Sequence, residues 1–215
     1  MRPNPTPAAI LLAASATTLQ AQQVVLDFEG VTGIHYRDVG DVVPPESRFS
    51  EQFADQGVVL ASEAPYVAAV WLGPSAPSGV IGIGGVAPDN TLSYARNIYL
   101  TFVNPDEPAL PAVTSAVSVS ADLYADSGGD VTMRAYDWWG RLLGQDTAPD
   151  QVGTVLTIET EGIHRVTIVG TQDFHGVSWD LLTFNEVTPI QPCRPDLTGD
   201  GRVDTLDFLL YLGAW

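Results

Sequence analysis

Val117-Ser-Val-Ser-Ala-Asp-Leu123 alternates apolar and polar side chains at every step. An extended chain turns successive side chains to opposite faces, so Val117, Val119, Ala121 and Leu123 share one face and the polar residues the other. The same period of two runs through Ile98-Tyr-Leu-Thr-Phe102, Val131-Thr-Met-Arg-Ala135 and Val166-Thr-Ile168. Turn-forming residues separate these runs: Pro44-Pro45, Pro74 to Pro77, Gly84-Gly85, Pro105 to Pro108, Gly128-Gly129 and single glycines at 140, 153, 162 and 170. Short alternating runs at this spacing predict an all-β fold, with two sheets packed as a sandwich over residues 22–187. No helical period persists there, although Phe49 and Phe53 within Ser47 to Ala54 are spaced for a single helical turn.

Composition narrows the functional classes. The chain has 215 residues, 26 of them acidic against nine basic, for a net charge of −17. A surface of that sign repels phosphate backbones, so no nucleic-acid partner is expected. The single cysteine, Cys193, has no partner for an internal disulfide. Residues 1–21 read as an export signal: Arg2 is the positive start, Ala8 to Ala14 the apolar core, and Ala16 and Ala21 are small residues suited to cleavage, with Ala21 preferred. The apolar core is too short to cross a bilayer as a helix, and no second stretch is long enough, so a secreted or surface-associated protein without a transmembrane span is expected.

After Thr188 to Pro195, whose three prolines read as a stiff linker, the chemistry becomes specific. From Asp196, oxygen-bearing side chains fall at loop positions one (Asp196), three (Thr198), five (Asp200), nine (Asp204) and twelve (Asp207), with Gly201 at six. Hard cations take six to eight oxygens at about 2.3–2.6 Å, which requires a chain that curls and aims alternate side chains inward. Arg202 at position seven would offer only its backbone carbonyl. The cofactor this spacing implies is Ca2+. A helix follows from Thr205 to Gly213, with Asp204 and Asp207 as a cap pair and an apolar surface too large for a lone helix in water.

Asp-Leu-Thr-Gly-Asp-Gly-Arg-Val-Asp-Thr-Leu-Asp-Phe-Leu-Leu-Tyr-Leu, with Cys193 before it and Trp215 after it, resembles one repeat of a type I dockerin. Dockerins normally carry two repeats and bind a cohesin module through helix residues beside the calcium loops. The resemblance implies attachment of residues 196–215 to a cohesin-like or other surface protein, with Thr205 and Leu206 at partner-selecting positions. Val25-Leu-Asp-Phe-Glu-Gly30 and Val177-Ser-Trp-Asp-Leu-Leu-Thr-Phe184 resemble the first and last strands of jelly-roll domains with a galactose-binding-like fold. That likeness implies a structural calcium between the two strands, with Glu29 and Asp180 as ligands and Asp27 as a further oxygen donor.

Tryptophans supply the remaining candidates, because a flat indole stacks on the apolar face of a pyranose. Trp71 and Trp179 lie in strand-like runs and are expected in the core. Trp138 and Trp139 lie in Asp137-Trp138-Trp139-Gly140, an apparent hairpin turn, where alternation exposes one of the two for glycan binding. His35, His164 and His175 lack zinc spacing, and no H-E-x-x-H, C-x-x-C or G-x-S-x-G occurs. Gly82-Ile-Gly-Gly85 has no following helix to make a phosphate loop. The leading expectation is a non-enzymatic exported protein. Its alternatives are a carbohydrate-binding module and a small polysaccharide-active enzyme, whose paired carboxylates nothing in the sequence marks.

Overall fold

The computed structural model describes residues 22–35, 38–73, 77–122, 129–149, 151, 153–169, 177–190 and 204–213. The expected export signal, loop positions Asp196, Thr198, Asp200 and Arg202, and the end of the expected linker lie outside them. Among the described residues lie fourteen strands and one α-helix: β1 (Gln23–Leu26), β2 (Ile34–His35), β3 (Arg48–Phe49), β4 (Val58–Ala61), β5 (Val67–Trp71), β6 (Ile81–Gly84), β7 (Ile98–Asn104), β8 (Glu107–Asp122), β9 (Asp130–Tyr136), β10 (Leu142–Pro149), β11 (Val155–Ile163), β12 (Arg165–Val169), β13 (Ser178–Asn185), β14 (Thr188–Pro189) and α1 (Thr205–Gly213). The protein is therefore all-β up to its tail. Short 3-10 turns, Pro45–Ser47 and Ala54–Gln56, replace the helical turn expected from Phe49 and Phe53. Both rings instead cluster with Phe28, at centroid distances of 5.2 to 5.8 Å, and Phe49 enters strand β3.

The strands pair in the order β10-β9-β12-β7-β8-β13-β6-β5-β2, with β1 added to β13, β11 and β14 to β8, β3 to β5 and β4 to β7. Only β2 on β5 is parallel among the described pairings. The 16-residue β8 joins the two arms of this sheet, because its start pairs with β7 and its end with β11 and β13. Both arms feed one core. Leu100, Met133 and Val166 come from one side, and Val119, Trp179 and Leu182 from the other.

Alternation in the sequence translates directly into this burial. Ile98, Leu100 and Phe102 of β7 are buried, as are Val131, Met133 and Ala135 of β9. Strand β5 has no solvent face over most of its length: Val67 and Ala69 enter the main core, and Ala68 and Val70 a second cluster with Tyr66, Leu92 and Tyr94. Its sequence is accordingly an unbroken apolar run. Fully burying a Val, Leu, Ile or Phe side chain contributes roughly 1.5–3 kcal/mol, so the core outweighs the two ion pairs seen, Arg96–Glu63 and Arg141–Asp137. Trp179 is core as expected, at 2% exposure. Trp71 ends β5 at the surface, 39% exposed, with the His35 ring 5.0 Å away.

Candidate functional site

The β9–β10 hairpin is locked by its first turn residue. The buried Asp137 accepts the Arg141 N–H at Oδ1 (2.8 Å) and the Arg141 Nε–H at Oδ2 (2.6 Å), while its own N–H donates to the Arg141 carbonyl (3.0 Å). Gly140 closes the turn with φ +82°, a conformation that costs glycine little. Burial opposes charge on Asp137, but the Arg141 N–H and guanidinium prevail and hold its carboxyl below the ordinary value. The turn thereby presents Trp138 and Trp139 on a fixed base.

Alternation predicts one exposed tryptophan, whereas both are exposed, Trp138 at 47% and Trp139 at 77%. The period of two applies within a strand, and these residues occupy the turn between strands. Trp138 rests edge-on against the His164 ring at 4.7 Å, and the Arg141 guanidinium lies 5.2 Å from the centre of the Trp139 ring. His164 is buried and its Nδ1 is 2.9 Å from the Ala112 carbonyl. Burial pushes its pKa below the usual histidine value, against the opposing pull of that carbonyl. A cavity of about 280 Å³ opens beside the hairpin, lined by Trp138, Trp139, Arg141, Glu161 and Ile190 among others. Sequence reading missed the support from His164 and Arg141, because His164 comes from a turn 26 residues downstream of Trp138.

The residues expected to hold a calcium in the sheet meet around one segment, Ser78 to Ile81. Asp180, fully buried, accepts the Ser78 N–H at Oδ2 (2.8 Å), and at Oδ1 the Ser78 hydroxyl (2.7 Å) and the Leu181 N–H (2.7 Å). Glu29 Oε1 accepts the N–H groups of Val80 (2.6 Å) and Ile81 (2.8 Å). Asp27 accepts the Glu29 N–H at Oδ1 (3.2 Å), and its carbonyl accepts the Ser78 hydroxyl (3.2 Å). Each of the three side chains thus finds N–H or O–H donors, and no group of three or more His, Cys, Asp or Glu side chains gathers among the described residues. The chemistry shown is a polar strap tying the start of β6 to β1 and β13.

Of the expected tail ligands, Asp204 and Asp207 are described. Asp204 caps α1: its Oδ1 accepts the Leu206 N–H (2.8 Å), and Asp207 Oδ2 reaches back to accept the Asp204 N–H (2.8 Å). This reciprocal arrangement satisfies two helix-terminal donors. Both residues offer carboxylate oxygens, the donor chemistry a hard cation takes, at loop positions nine and twelve. Asp207 is buried, whereas Leu206, Phe208, Leu209, Leu210 and Leu212 are each more than half exposed. Thr205 is exposed as well.

No protein-family model matches the chain, and no curated protein matches it. Among solved structures, the chain resembles a family two carbohydrate esterase from Cellvibrio japonicus, at 14% identity over 63% of this chain and 35% of that one, with a TM-score of 0.29. It also resembles the enzymatically active domain of tailspike protein 4 from Bacteriophage CBA120, at 14% identity over 71% of this chain and 23% of that one, again with a TM-score of 0.29. Likeness of this degree leaves both function and finer fold to be argued from the chain's own residues.

Proposed function

We propose that the chain is an exported, non-enzymatic protein whose jelly-roll sandwich is held at a cell surface or extracellular complex by a calcium-ordered, dockerin-like tail. The observation that carries this reading is α1, a helix with five large apolar side chains more than half exposed and its first turn closed by two carboxylates at calcium-loop spacing. A nine-residue helix of this kind is marginal in isolation, so capping and a partner surface both contribute to its order. A bound cation supplies the positive charge that lets Asp196, Asp200, Asp204 and Asp207 sit close together. Thr205 and Leu206 then stand beside the loop, in reach of a cohesin-like partner. Calcium titration by calorimetry on the full chain and on Asp204→Asn/Asp207→Asn tests the reading. It expects the double variant to lose one binding event, and equal stoichiometry in the two proteins overturns it.

The hairpin supports a second reading, glycan binding. Two exposed indoles on an ion-paired turn, beside an open cavity, form a rigid stacking surface of the kind sugar rings use. Loss of binding in Trp139→Ala across a glycan panel is the expected result.

A further inference from the structure

Another cavity is lined by none of the candidate site residues. It measures about 710 Å³ and opens on the outer face of β11, β8, β13 and β1. Its shape follows from side-chain size and register. Val117 and Val119 of β8 point into the core, which leaves the small Ala116 and Ser118 on the outer face as a floor. Thr157 and Glu159 of β11 register opposite Ser118 and Ala116 to form one wall, and Thr183 of β13 registers opposite Ser118 on the other side. Gln23 of β1, paired with Asn185, extends that second wall. With neighbouring strands ~4.8 Å apart, the walls on β11 and β13 stand about 10 Å from each other, wide enough for a pyranose ring and its hydroxyls.

Glu161 lines this trough and also the cavity beside Trp138 and Trp139, so the two openings adjoin at that residue of β11. Hydroxyls and amides dominate the lining. The Ser118 and Thr157 hydroxyls are 3.0 Å apart, and the Asn185 Nδ2 donates to the Ser115 hydroxyl (2.9 Å), so these groups already stand in hydrogen-bonding order. Glu159 and Glu161 add two carboxylates that have no hydrogen-bond or ionic partner among the described residues. No arginine lines the trough, and Arg141 at the hairpin end is committed to Asp137.

We propose that this trough binds a linear glycan of amine-bearing sugars, which lies along β8 with its hydroxyls on the Ser/Thr/Asn lining and its ammonium groups beside Glu159 and Glu161. One end of the glycan stacks on Trp139. The inference rests on the hairpin reading and names its ligand. Uronate or sulfate chains are excluded by like charge, both from the two glutamates and from a protein of net charge −17. Neutral chains keep the hydroxyl contacts and lose the charged ones.

The test is calorimetric titration of the full chain with glucosamine oligomers, cello-oligomers and oligogalacturonates at low salt. Glucosamine oligomers bind tightest. The Glu159→Gln/Glu161→Gln variant, changed at two exposed positions, weakens them roughly tenfold, to the level of the cello-oligomers. Trp139→Ala weakens both ligands. If Trp139→Ala abolishes binding while the double glutamine variant retains the full preference for glucosamine, the trough inference falls and the hairpin reading stands. If oligogalacturonates bind as tightly, the trough inference likewise falls; if no oligomer binds, both readings fall.

Discussion

Asp180→Asn probes the strap around Ser78 most directly. The side chain is fully buried and accepts three hydrogen bonds, two from backbone N–H groups and one from a hydroxyl. Asparagine keeps the shape and one oxygen. If that oxygen takes the place of Oδ1, the Ser78 hydroxyl and Leu181 N–H keep neutral hydrogen bonds, and the new NH2 faces the Ser78 N–H. Two donors, the Ser78 N–H and the new NH2, are left without an acceptor at about 1–3 kcal/mol each, and two bonds lose their charge assistance. The sum is about 3–6 kcal/mol. With a urea m-value of about 3 kcal/mol/M, the upper end for small proteins, the midpoint drops by roughly 1–2 M. Urea unfolding followed by tryptophan fluorescence measures it, since Trp179 is the residue immediately before. Ser78→Ala removes the hydroxyl's contacts with Asp180 and the Asp27 carbonyl but keeps the N–H bond, and is expected to cost about half as much, and the double variant to cost less than the sum because the two share an interaction. A midpoint shift for Asp180→Asn below about 0.2 M would show that the strap contributes nothing to stability. A drop that appears only in calcium and vanishes in chelator would replace the hydrogen-bond account with the cation expected from the jelly-roll likeness.

Three other perturbations have expected outcomes. His164 is buried with its pKa held below the unfolded value near 6.5, so the stability it contributes is complete above pH 6.5, declines as the pH falls toward the folded pKa, and is then lost. His164→Gln therefore flattens the stability profile below pH 6.5, and an unchanged slope refutes the assignment. Gly57→Ala adds a Cβ 2.7 Å from Val187 Cγ2 at φ +99°, which costs about 1–3 kcal/mol and lowers Tm by about 2–4 °C per kcal/mol. An unaltered melting curve contradicts that packing. Asp204→Ala removes the cap of α1, worth about 0.5–2 kcal/mol, and reduces far-UV helical signal without moving the urea midpoint of the sheet. A sheet destabilised to the same extent shows instead that the tail and sheet unfold together.

What the sequence disclosed depends on how many faces of each strand meet water. Runs with one wet face, such as Ile98 to Phe102 and Val131 to Ala135, declare their burial through alternation. Strand β5 faces a core on both sides and so carries no period to read, and Trp71 escapes the core because β5 ends there. Gly82 of β6 is a glycine for packing reasons, since a Cβ there would lie 2.5 Å from the Trp179 carbonyl. The strand likeness set Glu29 and Asp180 together as ligands of one calcium, but their donors at Ser78 to Ile81 were not legible, because those contacts span 51 to 102 residues. The trough was hidden for the same reason. Leu156-Thr-Ile-Glu159 alternates visibly, yet it becomes a wall only through register with the small residues of β8.

Strand β14 bears on how the protein carries load. The last described contacts before the tail are the two-residue pairing of Thr188 and Pro189 with β8 and the Ile190 N–H, which donates to the Pro111 carbonyl (2.9 Å). With the tail anchored as proposed, tension transmitted to Ile190 meets this short clip and peels it from β8 one pair at a time. Only then does it reach β13, which is paired to β1, β6 and β8 and must be sheared as a whole. Ile190 also lines the cavity beside Trp138 and Trp139. A pull strong enough to open the clip removes one side of that cavity while the core stays intact, so any glycan binding at the hairpin, as proposed above, would depend on force before the fold does.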